Sequence, residues 1–77
     1  MLFRSFGYSL HLQKLNKAAS AKNIGVRLGR YCIRCGIPVI TVAEQFGVSR
    51  QAVYNWFSGK SAPSKEAAER ISKLYSL

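Results

Sequence analysis

The segment TVAEQFGVSRQAVYNWFSGKSAP, residues 41–63, interleaves side chains suited to a core with side chains suited to a partner. Over residues 38–46, Val42, Ala43 and Phe46 recur at helical steps, which predicts a short helix with one inward face. Gly47 ends it. Ser49, two residues on, is a good N-cap, so a further helix should begin at Arg50 after a turn of only a few residues. Helices joined so tightly must cross steeply. Their crossing needs a small residue, supplied by Ala43, and the turn needs one tolerant of positive φ, supplied by Gly47. Val53, Trp56 and Phe57 then form the core face of the later helix. Its other side carries Gln51, Tyr54, Asn55 and Ser58, with Arg50 on the shoulder. Arg pairs bidentately with guanine and Gln or Asn with adenine, so this face suits base edges; a solvated helix face has the same kind of composition.

Before this pair, residues 20–35 place Ile24, Leu28, Tyr31, Cys32 and Cys35 on one helical stripe, with Gly36 to end the helix and Pro38 to open the next. Arg27, Arg30 and Arg34 share a flank that faces either phosphate or water. Val26 and Ile33 lie roughly opposite the stripe and need a cover. The segment FGYSLHLQ offers one: Phe6, Tyr8, Leu10 and Leu12 alternate with Gly7, Ser9, His11 and Gln13, the period of a strand with one apolar face. A lone strand leaves its backbone unpaired. Two readings follow, a strand paired with its copy in a second subunit, or an arm packed as a short helix or loop on its own domain. After Pro63, Ser64 can cap a last helix with Ala67, Ala68, Ile71, Leu74 and Tyr75 at core spacing, Glu66 in its first turn and Lys73 near its end.

The chain has 77 residues, enough for one core and no more. Its formal charge is +9, and Arg4, Lys14, Lys17, Lys22, Arg27, Arg30 and Arg34 all precede the first acid, Glu44. Such an excess points to an anionic partner, with solubility as the plainer reason for it. No apolar run approaches the roughly 18 residues of a membrane span. The start, MLFRSFGYSL, lacks the apolar core and cleavage site of a secretory signal, although acid-poor starts also occur in organelle transit peptides. A soluble, cytoplasmic, nucleoid-associated protein is expected.

Cys32 and Cys35 form a CxxC. A structural zinc site wants four ligands and His11 is the only other soft or imidazole ligand, while a redox pair sits where a strand meets a helix and not inside a helical pattern. Both are read as small buried helix residues. No metal, cofactor or small-molecule ligand is expected. Nor is an enzyme, since no nucleophile and base are placed together.

The pattern VAEQFGVSRQAVYNWFSG followed by KSAPS closely resembles the helix-turn-helix of the Cro and C1 repressor-like (XRE) family. Its spaced positions are the small Ala43, the turn Gly47, the β-branched Val53, and Trp56, Gly59 and Pro63 closing the motif. The resemblance covers residues 23–77. It implies an all-α, lambda repressor-like domain of four to five helices, preceded here by an N-terminal arm, residues 1–22, that is a possible dimerisation element. It further implies a helix over Arg50–Ser58 in the DNA major groove, with Arg50, Gln51, Tyr54 and Asn55 reading or bracing bases. Ser49, Ser58, Lys60 and Arg34 are the expected phosphate contacts. The sequence departs from the family at Pro38 and Val39, where a capping Ser or Thr and a backbone-holding Gln are usual, and at Ile40, usually polar. The expected protein is a homodimeric, Cro-like repressor of phage or plasmid type on a double-stranded DNA operator. The rival is a module using the same fold to bind a protein of the transcription machinery, which Ile40, Val26 and the apolar arm favour; RNA binding rests on charge alone.

Overall fold

The computed structural model describes residues 8–77. Among them are five α-helices, α1 (Leu10–Ala18), α2 (Ile24–Cys35), α3 (Val39–Phe46), α4 (Arg50–Ser58) and α5 (Lys65–Tyr75). Each boundary has a local cause. Ser9, Asn23, Ser49 and Ser64 cap α1, α2, α4 and α5 with a side-chain oxygen that accepts a backbone N–H of the first turn, which would otherwise be unpaired. α3 has Pro38 at its N-cap, which offers no such bond. Gly47 ends α3 at φ +65°, and Val48 N–H closes back onto Ala43 O at 3.0 Å, so the chain turns into α4 within three residues.

α4 is the centre of the packing. Val53, Trp56 and Phe57 turn inward and meet Leu28 and Cys32 of α2, Val42, Ala43 and Phe46 of α3 and Ile71 of α5 in one apolar core. Phe46 and Trp56 stand edge to face, ring centroids 6.1 Å apart, at the α3–α4 crossing. α5 braces α3 from behind: Arg70 donates to Gln45 O at 2.9 Å and lies over the Phe46 ring, and the Tyr75 hydroxyl bonds the Gln45 side chain. The cation and the hydroxyl thus sit at the negative end of α3.

α2 and α4 approach so closely that a methyl group has no room between them. A Cβ on Gly29 would lie 2.6 Å from Asn16 Nδ2 and 2.8 Å from Phe57 Cγ. Backbone-to-ring contact replaces side-chain interdigitation there.

One open alternative is decided, for the helical arm packed on its own domain, and two expectations change. Residues 10–13 are helical and not a strand; Phe6 and Gly7 of the same segment lie outside the described residues. The alternation misled because Tyr8 and Leu12 belong to both periods. They are buried with Asn16, the four-residue step of a helix, while Leu10, which the strand reading turned inward with them, is 74% exposed. Leu, Gln, Lys and Ala favour the helix, and Ser9 starts it. Helix α1 packs on its own domain, with Asn16 bonded to Val26 O, and the Val26 side chain is fully buried rather than available to a partner. The first change is at the CxxC: Cys32 is buried but Cys35 is exposed, on the solvent side of the last turn of α2; both are free thiols. Burial, with Cys35 adding to it, pushes the Cys32 thiol up to about 12, so it stays protonated at neutral pH and packs as a small apolar group. The second is that Leu74 is 54% exposed and contributes little to the core that Ile71 closes.

Two of the three flank arginines serve the fold. Arg30 Nη2 donates to Ala19 O at 2.8 Å and Lys17 O at 3.2 Å, satisfying the last carbonyls of α1, and Arg27 donates to Ala21 O at 2.7 Å. Tyr8 anchors the other end of the arm, its hydroxyl donating to Ile37 O at 2.6 Å and its ring 6.0 Å from Phe57. Burial, reinforced by nearby Cys32, Tyr54 and Tyr75, holds that hydroxyl protonated well above the usual tyrosine range, which keeps it a donor.

Candidate nucleic-acid interface

With Val53, Trp56 and Phe57 committed to the core, helical geometry directs Gln51, Asn55 and Ser58 outward. Gln51 is exposed, Tyr54 is 37% exposed, and Asn55 and Ser58 are half-buried. These four and Lys60 line one cleft of about 320 Å³, whose opposite wall is His11, Leu12 and Leu15 of α1 and its cap Ser9. Arg50 and Ser49 are exposed at the N-terminal end of the same helix. No acid lines the cleft, and it holds the charge of Lys60.

The outer face has internal order. Gln51 Nε2 donates to Asn55 Oδ1 at 3.1 Å, one turn along the helix. This bond uses one of the two N–H groups of Gln51. It leaves the Oε1 acceptor and one N–H donor, the pair of groups that an adenine edge requires. Asn55 is thereby turned toward Gln51, as a brace. Ser58 donates to Asn55 O at 3.4 Å. Ser49 accepts the Ala52 N–H at 3.1 Å, and its own hydroxyl proton is left to donate, as a phosphate oxygen would require. Ala43, Val53 and Trp56 are buried, and Gly47 occupies the turn.

Arg34 stands apart. It is exposed near the end of α2 and lines a different, largely apolar hollow with Gln13, Asn16, Lys17, Arg30 and Ile33. The fold does not bring it to the cleft that holds the other candidates.

Sequence reasoning missed two contributors. Asn16, 2% exposed, donates through Nδ2 to Val26 O at 3.1 Å and Phe57 O at 2.7 Å, tying α1 to α2 and to the end of α4. His11 lies on the cleft wall. The available signal was the step Tyr8, Leu12, Asn16, with His11 and Leu15 one position before the last two, once the segment is read at helical period.

An α3–α4 pair joined through three residues, with an outward polar face on the second helix, defines a small helix-turn-helix protein. The helix-turn-helix family model matches residues 28–77, and the chain belongs to this family, in its Cro/C1-type branch. No curated protein and no solved structure matches the chain. The family is one of DNA-binding regulators and not of enzymes, so the chain is a DNA-binding protein of the transcription-regulating kind with double-stranded DNA as its partner. Among the described residues no helix is long and apolar enough to cross a membrane.

Proposed function

We propose that the chain is a Cro-like transcriptional repressor of phage or plasmid type, which binds its operator as a homodimer and reads the major groove with α4. The observation that carries this reading is the braced Gln51 on an acid-free face directly opposite the core residues of α4. Gln51 reads a base with Asn55 holding its amide, Arg50 meets a base or a phosphate nearby, and Tyr54 borders the contact. Ser49 and Lys60 take phosphates, and Ser58 does so on giving up its 3.4 Å bond to Asn55 O. Occupancy of a promoter excludes polymerase, which is why repression is the activity proposed. In a two-fold dimer the two copies of α4 lie about 34 Å apart, so half-sites repeat after about one turn of DNA.

Selection from a pool of random duplexes at two salt concentrations tests this. A two-fold symmetric motif is the expected outcome, and binding without enrichment would reduce the protein to an electrostatic binder. On the selected motif, Gln51→Ala is expected to weaken binding by roughly tenfold and to erase the preference at one position per half-site, while affinity for random duplexes holds. Equal losses on both duplexes would remove Gln51 from base reading. Lys60→Ala should weaken both alike and lower the slope of log K against log salt by about 0.9 per bound subunit, about 1.8 for the dimer. A loss confined to the selected motif would contradict its phosphate role.

A second reading, a module that binds a protein of the transcription machinery, draws on Ile40, which is 49% exposed at the start of α3 where a helix of this fold would meet DNA backbone. Absence of DNA binding at low salt would move it to first place.

A further inference from the structure

α4 has a neighbour on each edge. On one, Trp56 meets Phe46 of α3; on the other, Phe57 meets Tyr8 and accepts the hydrogen bond of Asn16 from α1. The outward face with Gln51 and Asn55 lies between these edges. A helix with its side chains is about 10–12 Å across, and the major groove is about 12 Å wide. A helix that fills the groove therefore brings whatever flanks it against the two sugar-phosphate walls.

The two flanks differ in chemistry. α3 presents Ile40, beside the half-buried Pro38, at its start, with Val39 turned into the core, no side-chain cap and no cation. α1 presents His11, Lys14 and Lys17, and it contains no acid. His11 lines the cleft beside α4, and Lys14, exposed, follows it by three residues, one helical turn along the outer shoulder. The half-exposed Leu15 adds an apolar surface next to them. Position is secured from beneath by the bonds of Asn16, by Tyr8 and by Arg30 at the C-terminal end of α1.

Resting on the reading of α4 as the groove-entering helix, we propose that α1 forms the second flank of the DNA interface and seats the adjoining sugar-phosphate strand through His11 and Lys14. The cleft between α1 and α4 is then the channel for that strand, with Lys60 on its other wall. The contact is to backbone, so it adds affinity without adding sequence preference.

The test is a salt titration on a random-sequence duplex, which needs no knowledge of the operator. Lys14→Gln is expected to lower the slope of log K against log salt by about 0.9 per bound subunit, the value for one phosphate contact, and so by about 1.8 for the dimer. His11→Ala is expected to weaken binding by about threefold or more, through loss of one phosphate hydrogen bond. Lys73→Gln, an exposed charge on α5, removes the same charge elsewhere and should leave the slope at the wild-type value. Wild-type behaviour of both α1 variants, with the wild-type chain binding DNA, would overturn the role of α1 and leave the reading of α4 standing. An equal drop in slope for Lys73→Gln would also overturn it, by showing a general effect of charge. No binding by the wild-type chain at low salt would overturn both.

Discussion

Gly29→Val is expected to destabilise the fold by about 3 kcal/mol, the upper part of the range for overpacking a core. The new Cβ would sit 2.6 Å from Asn16 Nδ2 and 2.8 Å from Phe57 Cγ. Neither neighbour gives way freely. Asn16 is held by two hydrogen bonds, and Phe57 is fully buried. Replacing a helical glycine normally helps, by about 1 kcal/mol for alanine, but valine gains less and brings two further methyl groups to the point of contact. Sterics therefore win. In a domain of this size 1 kcal/mol moves the midpoint by about 4–8 °C, so thermal melting should fall by roughly 12–24 °C. A variant melting within a few degrees of wild type would show that α2 and α4 are not in close approach.

Asn16→Leu is expected to cost about 3 kcal/mol although it preserves side-chain volume and adds apolar surface. The substitution removes both donors from carbonyls that the core keeps from water. Phe57 O, in the last turn of α4, has no later N–H in that helix to accept from, so it depends on Asn16. A buried acceptor without a partner costs about 1–3 kcal/mol, and loosening α1 adds the contacts of Tyr8 and Leu12. Urea unfolding reads the loss, and amide exchange over Leu10–Ala18 should quicken more than exchange over α4. A stability equal to or above wild type would mean that the bonds to Val26 and Phe57 do not hold the arm. Gly29 and Asn16 touch, so the two losses should not simply add.

Most of the α3–α4 pair was legible because its determinants are local. Ser49 caps the helix that it precedes, Gly47 takes the positive φ that the turn needs, and Val53, Trp56 and Phe57 recur at the period that buries them. Cys35 and Leu74 were misplaced since a helical stripe is wider than the surface its neighbours cover. The arginine flank of α2 was ambiguous for a different reason. Whether Arg30 meets water, phosphate or carbonyl depends on what stands opposite, and that is the C-terminal end of α1.

By itself, then, the sequence determined four of the five helices, the turn between α3 and α4, the inward side of α4 and the excess of positive charge, because each follows from capping, backbone sterics or period within a few residues. Only the tertiary structure decided the state and place of α1. Tyr8 and Leu12 satisfy the period of a strand as well as that of a helix, and the choice between them rests on Ile37, Val26 and Phe57, 10 to 41 residues from the groups they bond, whose carbonyls and ring receive Tyr8 and Asn16. The same long-range contacts put His11 and Gln51 on facing walls of one cleft, a neighbourhood that no local pattern encodes.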